Sequence, residues 1–268
     1  SYFNPAKNLV ENGALMFSDG SHMHNNTPLY SLLLGLFFYL DSQFFYIYII
    51  ILQVILLFST VLISVKIFDF GSTYIRYIFL SLLLFNPNLL ITAHLCQTEI
   101  LYLFFFILSI KYLFKFKNDF KYKNLFYCSL FISLSILTRP IGIYIFYCYI
   151  FLISILLVLN YKFNYIIISK LLFFIIITSS IVSIWIIRNY IIFDSFFLSS
   201  NSGYYAYDNL MQLIKISKNI PIDETVKISE NFFLNYTSIN NLDQKCLINI
   251  RDINCTNVHV NAFISYVF

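Results

Sequence analysis

Phe44-Phe-Tyr-Ile-Tyr-Ile-Ile-Ile-Leu-Gln-Val-Ile-Leu-Leu-Phe-Ser-Thr-Val-Leu-Ile-Ser-Val65 carries no charge from end to end. A helix crossing a bilayer needs about 20 mainly apolar residues, so 44–65 reads as a membrane span. Working outward, the pattern recurs at 77–98, at 99–114 with Lys111 free to snorkel, and at 124–138. It returns at 140–161 and at 163–187, which is interrupted only by Lys170. Composition agrees: 59% of the 268 residues are hydrophobic and only 11% are charged, with a mean hydropathy of +0.76. An average soluble domain is about 25% charged, so that class is excluded. The expected fold is all-α, a polytopic bundle with six spans.

The basic residues set its orientation. Lys66, Arg76, Lys111, Lys115, Lys117, Lys121, Lys123, Lys162 and Lys170 fall to one side, and only Lys7, Arg139 and Arg188 to the other. Nine against three places Lys115-Phe-Lys-Asn-Asp-Phe-Lys-Tyr-Lys123 on the cytoplasmic face. The net charge of +4 is therefore explained by topology and needs no nucleic-acid partner. Pro28–Leu40, at 13 residues, is too short to cross untilted and is expected in the outer interface. Residues 4–12, stopped at Gly13, are expected as a short amphipathic helix. The expected organisation is a non-cytoplasmic segment 1–43, a bundle 44–190, and a non-cytoplasmic loop and juxtamembrane segment 191–268.

Residue 1 is Ser and the chain stops within an apolar run, so it reads as a piece of a longer protein. No CxxC pair occurs among the five cysteines; Cys246 and Cys255 either pair in an oxidising compartment or remain thiols. His22 and His24 are too close for a zinc pair on a helix but feasible in an extended loop. Asn25, Asn235 and Asn254 each begin a glycosylation-type triplet, frequent by chance in an Asn-rich chain.

Charged groups at the lip of a span are costly and point to function. Glu99, Arg139 and Arg188 qualify, all on the outer side. Asn86-Pro87-Asn88 breaks one span, with His94 and Gln97 between that break and Glu99. Glu99 caps a helix or serves a site; Arg139 anchors an interface or clamps a phosphate, for which a guanidinium is well shaped. Gly142 lets the backbone approach closely after Arg139-Pro140. Trp185-Ile-Ile-Arg-Asn-Tyr190 ends the last span in aromatic-belt residues, and the polar stretch through Tyr207 is expected to be a site loop.

These pieces, in order, resemble the GT-C integral-membrane glycosyltransferases. The resemblance is specifically to the family-39-like group of protein O-mannosyltransferases, aminoarabinose transferases and bacterial RgtA/B/C/D-like proteins. The matching pieces are Tyr2…Ala6-Lys-Asn-Leu9…Gly13, Thr27-Pro-Leu-Tyr30, Asn86-Pro87…Thr98-Glu99, Leu137-Thr-Arg-Pro140-Ile-Gly142 and Trp185-Ile-Ile-Arg-Asn-Tyr190…Gly203. The resemblance implies transfer of a sugar from a polyprenyl-phosphate donor to a lipid, glycan or protein acceptor on the non-cytoplasmic face of a bacterial plasma membrane. It implies Glu99 as a site carboxylate and Arg139, Arg188, Asn189, Tyr30, Asn86 and His94 as substrate-binding residues. The family's catalytic Asp would lie upstream of Tyr2, outside this chain. No metal ligand is assigned, although some relatives use a divalent metal, and Thr27-Pro28 departs from the family's usual Pro-Pro. Two alternatives are an endoplasmic-reticulum mannosyltransferase of glycolipid-anchor synthesis and a transporter or flippase. Against the second, no internal repeat is visible and the polar groups sit at one lip rather than mid-bilayer.

Overall fold

The structure is a computed structural model, described here for residues 2–67, 73–160 and 165–201. Among these residues the regular structure is helical: α1 Phe3–Asn12, α2 Pro28–Leu40, α3 Phe45–Ile67, α4 Thr73–Leu84, α5 Pro87–His94, α6 Glu99–Asp119, α7 Tyr122–Thr138, α8 Gly142–Asn160 and α9 Tyr165–Phe193. The all-α expectation holds. The chain divides into two compact units, Ser1–Met23 with Thr27–Trp185, and His24–Asn26 with Ile186–Phe268. Each is described by itself.

In the first unit, α1 ends where expected: Gly13 takes φ 72° and its N–H bonds Leu9 O, a left-handed cap that glycine adopts without a Cβ penalty. α2 begins with Pro28 at its first turn and lies against α1. A Cβ on Gly35 would meet Ala6 O at 3.3 Å, so the two helices touch almost backbone to backbone. Tyr30, Leu34, Phe45, Ile49 and Leu101 close the core around Ala6.

Among the described residues three helices are long and apolar enough to cross a membrane: Phe45–Ile67, Gly142–Leu159 and Ile168–Phe193. On α3 the residues Ile47, Ile51, Ile55, Phe58 and Leu62 are each more than half exposed and recur every three or four positions, one continuous apolar stripe. The expected span 77–98 is two helices, α4 and α5, bent by 44° at Pro87, whose missing N–H and ring clash end α4. That pair is a fourth candidate span. The other two expected spans differ for separate reasons. α6 has 21 residues, enough to cross, but carries Glu99, Lys111, Lys115, Lys117 and Asp119. α7 has only 17.

α6 and α7 form a tight antiparallel hairpin. Phe120 sits at φ 51° and bonds Phe116 O, while Asp119 accepts from Lys121 N at 3.0 Å and Asn124 Nδ2 at 2.8 Å. Buried Ser129 and Ser133 return their hydroxyls to the carbonyls four residues back, so α7 presents small, satisfied side chains at close packing distance. At this turn the buried Lys170 of α9 stands 5.5 Å from the Phe120 ring centroid, a cation–π contact.

In the second unit, α9 continues to Phe193 rather than ending at 187. Asn189 is fully buried there, its Nδ2 donating to Phe197 O at 3.0 Å. That bond satisfies the amide, so the polar pair Arg188-Asn189 does not terminate the helix. Tyr207 and Gly203, the pair Cys246 and Cys255, Asn235, Asn254 and the tail from 211 lie outside the described residues.

Candidate functional site

Because α6 and α7 are antiparallel and joined by two residues, the start of α6 and the end of α7 meet. Glu99 is the first residue of α6 and Arg139 the first beyond α7. Pro140 forbids the helical conformation to the residue before it, and Arg139 is extended at φ −142°, ψ 130°. Its N–H still bonds Ser135 O, and Gly142 N returns to Arg139 O at 3.0 Å. A Cβ on Gly142 would lie 3.0 Å from Ile136 Cα and 3.1 Å from Ile136 N. The close approach expected of Gly142 is thus what folds the turn tightly enough to aim Arg139 back along the hairpin end.

Arg139 Nη1 donates to Glu99 Oε1 at 2.6 Å, and both side chains are a little over one third exposed. Glu99 Oε2 is buried and accepts no hydrogen bond. Arg139 also acts electrostatically on the Tyr102 phenol, one turn into α6.

Behind the pair lies a residue that charge counting passed over. Gln53, in the middle of the opening apolar stretch, is buried at 1% exposure. Its Nε2 donates to Tyr30 Oη at 2.8 Å and to Gln97 O at 2.8 Å. It therefore ties α2 to the link that delivers Glu99. Tyr30 is fully buried, with Tyr2 packed edge-on at 5.4 Å. Burial first, and the Cys96 thiol and Glu99 carboxylate after it, push the Tyr30 phenol far above its ordinary value. The signal was present in the sequence, since any amide within an uncharged span needs a partner.

Tyr30, Glu99 and Arg139 are therefore gathered at one locality of the first unit. Asn86 and His94 have local roles. Asn86 caps α5, its oxygen accepting from Asn88 N at 3.0 Å and Leu89 N at 3.3 Å. The exposed His94 bonds Leu90 O within its own helix. In the second unit, Arg188 Nη1 donates to Asn189 Oδ1 at 2.8 Å and stands 5.6 Å from the Phe193 ring. There His24 Nδ1 is 2.8 Å from Ser200 Oγ, and Ser199 Oγ donates to Asn25 O. Those bonds hold the 24–26 segment to the residues following α9. Among the described residues no group of three or more His, Cys, Asp or Glu is placed to hold a metal ion.

Chemically, the locality offers a paired guanidinium with donors to spare beside a carboxylate with one oxygen uncommitted. Such a set has the hydrogen-bonding capacity to take an anion and a hydroxyl side by side. No protein-family model, curated protein or solved structure matches this chain.

Proposed function

We propose that this chain is a membrane glycosyltransferase. It moves a sugar from a polyprenyl-phosphate donor to a lipid, glycan or protein acceptor, on the non-cytoplasmic face of a bacterial plasma membrane. The observation that carries this reading is the Glu99–Arg139 pair at the end of the α6–α7 hairpin, its second carboxylate oxygen buried and unbonded. The opposite end of that hairpin carries Lys115, Lys117, Lys121 and Lys123, as a cytoplasmic end would.

In the reaction a bond forms between the acceptor oxygen and the anomeric carbon as the bond from that carbon to the phosphate oxygen breaks. The acceptor proton passes to a carboxylate base, and the lipid phosphate leaves with the bonding electrons. Here Arg139 takes up the charge growing on the departing phosphate, and Glu99 orients a substrate hydroxyl. The resemblance assigns Arg188, in the second unit, to substrate binding, in keeping with its place in the Trp185-Ile-Ile-Arg-Asn-Tyr190 piece.

The test is sugar transfer by the full-length protein in liposomes, using a panel of radiolabelled polyprenyl-phosphate sugars. Transfer should occur with at least one donor and disappear in Glu99→Ala and Arg139→Ala, both still inserted. Wild-type rates in both variants would remove the site assignment. Movement of the lipid-linked sugar across the bilayer without transfer would replace the enzyme by a flippase.

A further inference from the structure

Gln53 has one more property than its two hydrogen bonds explain. The Gln97 carbonyl can only accept, so the side-chain atom facing it must be the amide nitrogen, and the orientation of the Gln53 amide is fixed. Both hydrogens on Nε2 are spent, one on Tyr30 Oη and one on Gln97 O. Gln53 Oε1 is left buried with no donor, as is Glu99 Oε2. The two acceptors are linked through the chain, because Gln97 lies two residues before Glu99.

A buried acceptor without a partner costs about 1–3 kcal/mol, and two in one locality call for a ligand that donates. Phosphate oxygens offer chiefly lone pairs and would face the carboxylate unfavourably. An ammonium group would need net negative charge, and Arg139 already neutralises Glu99. Neutral hydroxyl groups satisfy both demands. A sugar ring carries several of them on adjacent carbons.

We propose that Gln53 Oε1 and Glu99 Oε2 form a hydroxyl-recognition subsite that holds a sugar ring, with the unspent donors of Arg139 facing the phosphate. This assignment rests on the glycosyltransferase reading and adds to it the residue that selects for hydroxyls. Tyr30 positions the subsite by accepting from the Gln53 amide, and does not itself touch the ring.

The test is saturation-transfer NMR on the detergent-solubilised full-length protein. The probes are the methyl glycosides of mannose, glucose, galactose and arabinose, with inorganic phosphate as the anion probe. At least one glycoside should take up saturation on its ring protons. Gln53→Met and Glu99→Gln should each weaken that binding about tenfold, the worth of one hydrogen bond. Ser64→Ala, whose hydroxyl only returns to Thr60 O in its own helix, should retain the signal. Should Gln53→Met fail to elute as a single species, Glu99→Gln carries the test. Absence of saturation from every glycoside, meaning that only water fills the subsite, or wild-type saturation in a folded variant, overturns the proposal. Sugar transfer by a protein that binds no glycoside would sink the subsite and leave the enzyme standing. Gln53-dependent glycoside binding without transfer to any acceptor would do the reverse.

Discussion

The two ends of the α6–α7 hairpin are built from the same materials and use them oppositely. At the Phe120-Lys121 turn, Asp119 spends both oxygens on groups two and five residues away, and its neighbours Lys117, Lys121 and Lys123 are exposed. At the far end, Glu99 reaches Arg139 across 40 positions, and one of its oxygens is left without a donor. The first arrangement closes a turn and asks nothing of a ligand. The second holds polar capacity in reserve, where a purely structural pair would have used it. A charge cluster is thus better judged by its unspent hydrogen bonds than by its charge count.

Activity should break that comparison most sharply. Glu99→Ala or Arg139→Ala is expected to lower sugar transfer at least about 100-fold, as loss of a group placed against developing charge does. Lys121→Ala and Asn124→Ala, at the turn, should leave the rate within about twofold. Stability should show little of this contrast. The pair is more than a third exposed, so water screens it and its contribution to folding is at most about 1 kcal/mol. Equal rate losses at both ends would mean that the hairpin matters only as a scaffold.

A second measurement probes the layer behind the pair. Gln53→Leu would leave Tyr30 Oη and Gln97 O without their donor and should cost about 2–3 kcal/mol in reversible detergent denaturation. Ser64→Ala, whose hydroxyl only returns to Thr60 O in its own helix, should fall within about 0.5 kcal/mol of wild type. Gly142→Ala comes next, at about 1–2 kcal/mol. The added Cβ meets Ile136 backbone rather than a movable side chain. Because the same turn aims Arg139, this variant should also lose transfer activity, whereas Ser64→Ala, away from the turn, should keep it.

Much of this architecture is legible in the sequence. Gly13, Pro28 and Asp41 punctuate α1 and α2 strongly enough that their ends were legible, as was the apolar stretch of α3. Glu99 and Arg139 stood out because charge at the lip of a span is costly. Their pairing was not legible, since it depends on a two-residue turn closing 20 residues away. α6 ran past 114 to Asp119 because lysines on long stems tolerate the helix end. α9 ran past 187 because Asn189 finds Phe197 O. Asn86 and His94 were legible as polar residues around the span break, whereas their bonds to Asn88, Leu89 and Leu90 were not. Gln53 was missed because hydropathy patterns score charge and apolarity, and a lone amide among isoleucines registers as neither.

The smallest expected effect belongs to the turn and checks that its charge is structural. The Lys121 N–H bond to Asp119, with Asn124 and the Lys121 charge beside it, holds the Asp119 carboxyl below its ordinary value. A depressed carboxyl stabilises the fold above its unfolded value, and that contribution disappears as pH falls through the folded value. Between about pH 5 and about pH 3, around the usual aspartate range, wild type should therefore lose slightly more stability than Asp119→Asn. Other carboxylates titrate in the same window, but they do so in both proteins, so the difference between the two melting curves isolates this one. Curves that stay parallel throughout would show that the turn closes without help from the Asp119 charge. The two ends of the hairpin would then differ in geometry alone.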